Sequence, residues 1–148
     1  SSRGEVVINS PEISDAPKIR PNYLSTAEDQ DIAVKGLRFT RQIMSAKALK
    51  KFEPTELKPG ERAQSDEELL SSARDLGTTI FHPVGTCKMG HDSMSVVDDQ
   101  LRVRGVQKLR VIDASIMPTI TSGNTNAPTV MIAERGSDFI KTEYNHKF

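Results

Sequence analysis

The spacing of proline and glycine limits this chain more than any other feature, because it leaves few windows long enough for a helix. Pro11, Pro17 and Pro21 hold the first stretch extended, and Pro54, Pro59 and Gly60 enforce a loop near its middle. Between these groups lies one long uninterrupted window. Ser25-Thr26-Ala27-Glu28 reads there as a capping box, the hydroxyl taking an orphan amide while Glu28 reaches back. The periodicity predicts a long helix carrying Ala33, Leu37, Thr40, Met44 and Ala48 on one face, flanked by Ile32 and Ile43. Ser65-Asp66-Glu67-Glu68 is a second capping box, and Leu69, Leu70, Ala73 and Leu76 form the stripe of a shorter helix that Gly77 can end.

Before the first window, Gly4 to Ile8 is a β-branched run that reads as a strand, and Lys18-Ile19-Arg20 lies in the extended stretch. Beyond Thr78 the character changes. Short β runs are expected around Val96-Val97, Leu101-Arg102-Val103 and Leu109 to Ile112. A final helix is expected from near Pro128 through Val130, Met131, Ala133 and Ile140, with a polar, frayed tail from Thr142. Strands and helices that follow one another without regular alternation indicate an α+β fold.

Charge and apolar runs exclude several classes of function. Lys plus Arg and Asp plus Glu number 20 each, so the basic excess that nucleic acid or an anionic membrane would require is missing. No apolar run approaches the roughly 18 residues of a membrane span. The sequence carries no secretory signal, lipidation motif or glycosylation sequon, and it starts without Met, as a processed or excised piece would. Cys87 is the sole cysteine. It cannot form an internal disulfide, which fits a cytoplasmic location, with peripheral attachment to a membrane also compatible.

Three segments could carry chemistry. In Phe81-His82-Pro83-Val84-Gly85-Thr86-Cys87-Lys88-Met89-Gly90, His82 follows the apolar pair Ile80-Phe81 and precedes a rigid proline. A ring so held suits a general base near neutral pH, but the residues alone favour a core histidine satisfied by backbone groups. Gly85 to Gly90 has P-loop glycine spacing, yet His91-Asp92 stands where Lys-Ser/Thr is needed. His82, Cys87, His91 and Asp92 match no common zinc spacing, so no metal site is assigned, and Cys87 reads as a small buried hydrophobe rather than a nucleophile. The second segment, Thr121 to Thr129, runs small polar residues into a helix start, suited to an anion or an electron-rich ring edge, or simply to capping. The third, Arg110 to Ser115, is an apolar run ending in Asp113 and two small residues, where a carboxylate could take a ligand hydroxyl. No two glycines lie two apart, so a Gly-x-Gly-x-x-Gly motif is absent.

Taken in order, these segments resemble the C-terminal region of the glucose–methanol–choline family of flavin-dependent oxidoreductases. The resemblance is carried by His82 to Gly90, Val96-Val97-Asp98, Leu101 to Val106, Leu109 to Pro118 and Gly123 to Ile132. Ser2-Arg3-Gly4, Pro21-Asn22-Tyr23-Leu24 and Gly36-Leu37-Arg38 add to it, so that it covers nearly the whole chain. It implies that His82 is the catalytic histidine that accepts the alcohol proton, and that Asn124 is a second catalytic residue bonding the substrate oxygen. It further implies an FAD cofactor in the full-length parent, held in part by Asp113, Ala114, Thr125, Asn126, Pro128 and Thr129. The helix start at Asn126 to Thr129 would face the pyrimidine end of the flavin, where its positive end stabilises charge appearing on reduction.

On the same grounds, residues 1–76 belong to a substrate-binding lobe and residues 77–148 complete an FAD-binding lobe. The implied activity is oxidation of a primary alcohol to an aldehyde. Pro83-Val84-Gly85-Thr86 after His82 differs from the pattern of choline-specific enzymes and points to a broader alcohol dehydrogenase. The alternative is a stand-alone interaction module without catalysis. The expected partners are a small alcohol and the missing N-terminal half. By itself the piece is expected to be inactive, and to self-associate through its uncovered cofactor-facing side or to be disordered around Thr119 to Asn126.

Overall fold

The computed structural model describes residues 1–145 and divides the chain into two compact units, Ser1–Thr78 and Thr79 onward. The last part of the expected frayed tail, residues 146–148, lies outside the described residues.

In the first unit, β1 (Glu5–Val7) pairs antiparallel with β2 (Lys18–Arg20), Val6 opposite Ile19. α1 (Ala27–Met44) follows, but its cap is not the one expected. Thr26 rather than Ser25 accepts the orphan amide, from Asp29. Ser25 is held instead by Ser2, whose hydroxyl accepts the Ser25 amide at 3.0 Å. α1 also ends ten residues before Pro54. The Ser45 hydroxyl donates to the Gln42 carbonyl at 2.8 Å and draws an acceptor out of the helical ladder, and a 3-10 turn over Lys50–Phe52 follows.

The inward face of α1 is rotated from the expected stripe. Val34 is buried and Ala33, Leu37 and Arg41 are half-buried, whereas Thr40, Met44 and Ala48 are exposed. Arg41 takes an inward position because Glu56, in the loop beyond, supplies a carboxylate for it. Two parallel bonds of 2.8 Å join Arg41 Nε and a terminal nitrogen to Glu56. The Gly60 amide donates to the same carboxylate, and Arg41 also reaches the Gly60 carbonyl. The arginine holds the Glu56 carboxyl below its ordinary range, and the carboxylate in turn raises Arg41.

α2 (Asp66–Leu76) starts on the expected Ser65–Glu68 box, with both reciprocal bonds present. Two amide donors, from Ser65 and Gln64, hold Glu68 below its ordinary range. Leu69 is fully buried against Val34 and Ala63, and with Leu37 and Leu70 they form this unit's core. Gly77 ends α2 in extended rather than left-handed backbone, its amide bonding the Ala73 carbonyl.

The second unit contains bridges where strands were expected. Met89 pairs with Val97, Val97 with Val103, and Arg102 with Arg110, each as an isolated bridge. The cause lies in the backbone. Leu101, Gly105 and Lys108 adopt left-handed φ values of 64°, 76° and 59°, so no extended run survives long enough to form a ladder. Val97, Leu101, Ile116, Met117 and Ile132 are nonetheless buried together, with Val111, Ile112 and Phe139 packed around them.

α3 (Asn126–Asn145) begins two residues before Pro128 and stays helical through the described part of the expected frayed tail. Its inward residues are Ile132, Gly136 and Phe139, while Val130, Met131, Ala133 and Ile140 are exposed. Gly136 decides this, since without a side chain it lets the helix lie directly on Ile112. No helix among the described residues is long and apolar enough to cross a membrane.

Candidate active site

His82 is aimed by the three residues before it rather than gripped by them. Ile80 and Phe81, expected to hold its ring, are 72% and 82% exposed. Phe81 adopts a left-handed φ of 64°, unusual for a bulky residue, and its amide donates to the Thr79 hydroxyl at 3.0 Å. This tight reversal, within the second unit, leads into His82 as the chain enters Pro83.

Beyond His82 the chain lies along the short 3-10 helix Ala114–Ile116. Cys87 donates its amide to the Ser115 carbonyl at 3.0 Å, and Met89 donates to Ile116 at 2.8 Å. Gly85 turns the chain at a φ of 89°, where a Cβ would stand 3.4 Å from the Met117 carbonyl. Cys87 is half-buried and free. Asp92 is engaged by Lys88, the Met94 amide and the Ser95 hydroxyl, which lower its carboxyl to about 2. It shapes a surface loop.

The imidazole itself is held from across the sequence. Its Nδ1 lies 2.8 Å from the hydroxyl of Thr125, a buried residue immediately before α3. The Thr125 carbonyl accepts both the amide of Thr129, at 3.0 Å, and its hydroxyl, at 2.7 Å. His82, Thr125 and Thr129 are therefore one bonded group at the helix start, and Asn124 and Asn126 flank its central residue. Both asparagines are exposed, Asn124 in the loop and Asn126 as the first residue of α3. Asp113 caps the 3-10 helix, one carboxylate oxygen accepting both the amide and the hydroxyl of Ser115. A cleft of about 340 Å³ bordered by Arg102, Lys108, Arg110 and Glu143 includes none of these residues.

The chain that carries these residues matches a known family. The GMC oxidoreductase family matches residues 1–133. The chain belongs to the GMC oxidoreductase family, as its C-terminal domain. Over 139 residues it is 47% identical to an alcohol dehydrogenase [acceptor] of Pseudomonas putida, covering 94% of this chain and 25% of that protein. It is 49% identical over 140 residues to an oxygen-dependent choline dehydrogenase of Citrobacter koseri, covering 95% and 25%. Among solved structures, it is similar to pyridoxine 4-oxidase from Mesorbium loti, with a TM-score of 0.83 and 37% identity over 97% of this chain and 27% of that one. An FAD-dependent oxidoreductase from Chaetomium thermophilum gives a TM-score of 0.88 and 33% identity over 96% and 25%. The chain thus spans about a quarter of the length of these GMC relatives. Its α+β fold is that of their C-terminal regions.

Proposed function

We propose that this chain serves in a flavin-dependent oxidoreductase that converts a primary alcohol to an aldehyde, with His82 as the base that takes the hydroxyl proton. One observation carries the reading. His82 is fixed through Nδ1 on a buried hydroxyl at a helix start, which leaves Nε2 to meet a substrate. Asn124, in the adjoining loop, bonds the substrate oxygen. Asn126 is a second candidate for that contact, because its backbone is set by the first turn of α3, and groups on regular elements are placed more reproducibly than groups on loops.

The residues present suit an FAD. Pro128 has no amide and that of Thr129 is taken by Thr125, so the first turn of α3 offers the amides of Asn126 and Ala127 at its positive end. That end suits an electron-rich ring edge. Asp113 spends one oxygen on Ser115, and the other remains for a ribityl or ribose hydroxyl, with the small Ala114 allowing close approach. A bound flavin supplies the two-electron acceptor for the carbinol hydride. Residues 1–76 serve the substrate lobe and residues 77–148 the flavin lobe, a division supported by the separate cores of the two units. The similarity to choline and alcohol dehydrogenases is nearly equal, which supports a primary alcohol as the substrate class.

The test is His82→Ala in the full-length enzyme, read by anaerobic stopped-flow flavin reduction at saturating alcohol. The rate is expected to fall roughly a hundredfold to ten-thousandfold, the usual range for loss of a general base. A variant that keeps its FAD and reduces it as fast as the wild type would return His82 to a structural role.

A further inference from the structure

We propose that Thr125 is a positioning residue that holds His82 in the tautomer protonated on Nδ1, and so presents the Nε2 lone pair as the base. The proposal rests on the assignment of His82 above. Its starting point is the identity of the residues that open α3. Thr125 precedes the helix, and its carbonyl already accepts the first helical bond, from Thr129, so it occupies the cap position. A cap hydroxyl ordinarily accepts an amide from the second or third helical residue. The third residue here is Pro128, which has none. The third amide is thus missing, and the hydroxyl goes to His82 Nδ1, at 2.8 Å, rather than to the remaining amide of Ala127. Thr125 is 7% exposed, so bulk water competes little for this bond.

The direction of the bond decides what His82 can do. If the Thr125 hydroxyl donated, the proton of the neutral ring would sit on Nε2, and the only unengaged ring nitrogen could accept nothing. If the hydroxyl accepts, the proton sits on Nδ1 and Nε2 carries a free lone pair. After Nε2 takes up the substrate proton, both ring nitrogens are donors, and Thr125 must be an acceptor. Only the accepting arrangement passes through proton uptake without reversal of the hydroxyl, and the bond gains strength as the ring becomes charged. Thr125 therefore contributes through His82 and need not touch the substrate.

Two measurements on the full-length holoenzyme test this. In the first, histidine is labelled with ¹⁵N, and the His82 signals are identified by their loss in His82→Gln. The neutral ring is expected to be protonated on Nδ1, and protonation on Nε2 overturns the proposal. In the second, flavin reduction is followed in Thr125→Val and Thr125→Ser. Removing a hydrogen bond to a group that becomes charged is expected to slow Thr125→Val roughly tenfold to hundredfold, and Thr125→Ser is expected to restore the rate. A Thr125→Val enzyme as fast as the wild type, or a Thr125→Ser enzyme as slow as Thr125→Val, overturns it. If Thr125→Val loses its flavin, the wild-type ¹⁵N spectrum decides alone. His82→Ala separates the two levels of failure. An active His82→Ala enzyme removes the base itself, whereas an inactive His82→Ala enzyme together with an Nε2-protonated ring in the wild type removes only the role of Thr125.

Discussion

Gly136 of α3 lies so close to Ile112 that an added Cβ would stand 2.6 Å from Ile112 Cγ2 and 2.9 Å from Cδ1. Cγ2 sits on a branched Cβ and can swing aside only if χ1 leaves its preferred rotamer. Gly136→Ala would gain about 1 kcal/mol of helix propensity but overpack the contact by about 1–3 kcal/mol. The expected outcome is net destabilisation of up to about 2 kcal/mol. With Ile112→Ala in place the clash is gone, and the same substitution should raise stability. Thermal unfolding of the four proteins of this cycle, in the full-length enzyme, checks it. Additive effects would show that the helix is free to shift.

The Arg41–Glu56 fork should make part of the first unit's stability depend on acid. Arg41 and the Gly60 amide depress the Glu56 carboxyl in the folded state. Its contribution is thus complete above the ordinary glutamate range and is lost as pH falls below about 4 and through the depressed folded value. Glu56→Gln should unfold at lower temperature than the wild type near neutral pH. The gap should narrow as the medium is acidified. A gap that stays constant or widens on acidification would place the effect of Glu56 outside its charge.

Features written within a few neighbouring residues were legible in the sequence, and those that depend on distant partners were not. The Ser65–Glu68 box and the extended Lys18–Arg20 segment could be read because each is specified locally. The inward face of α1 could not, because Arg41 turns inward only through Glu56, 15 residues later. The strands expected after Val96 failed for a related reason. Apolar alternation at Leu101 to Val103 and Leu109 to Ile112 carries no mark of the left-handed backbone at Leu101 and Lys108 that breaks it. His82 and Thr125 are 43 residues apart, and no periodicity joins them. One local signal was available: a threonine at a helix start followed by proline three positions later has a hydroxyl with no third amide to cap.

Residues 1–148 expressed by themselves should not retain FAD. The chain has no glycine pair able to cradle a pyrophosphate at a strand-to-helix turn, and the group it does offer is confined to one helix start and one carboxylate. Ile80, Phe81, Ile120, Val130 and Met131 are all more than half exposed, which favours self-association of the isolated chain. Desalting followed by a flavin absorbance spectrum tests the first expectation, and sedimentation tests the second. Stoichiometric flavin after desalting would contradict the first, and a monomer at all concentrations would contradict the second.

The two asparagines beside Thr125 can be separated by their effects on rate. Asn124→Ala and Asn126→Ala would each remove a neutral amide and leave His82 and its Thr125 contact in place. Loss of one neutral hydrogen bond to the substrate oxygen costs about 1 kcal/mol, or roughly fivefold in rate, well short of the effect expected for His82→Ala. The residue that bonds the substrate should lower the rate of flavin reduction by about this factor or more when changed to Ala. A bystander should leave the rate unaltered. Asn126 carries a second duty as the first residue of α3, so Asn126→Ala could also disturb the helix start, and Asn126→Ser serves as its control. If Asn126→Ala slows reduction while Asn124→Ala does not, the substrate contact belongs to the helix, and Asn124 loses its assigned role. If the reverse holds, the loop supplies it. Should both variants match the wild type with FAD content intact, the substrate oxygen is held by residues outside this chain, and His82 is left as its only contribution to the reacting group.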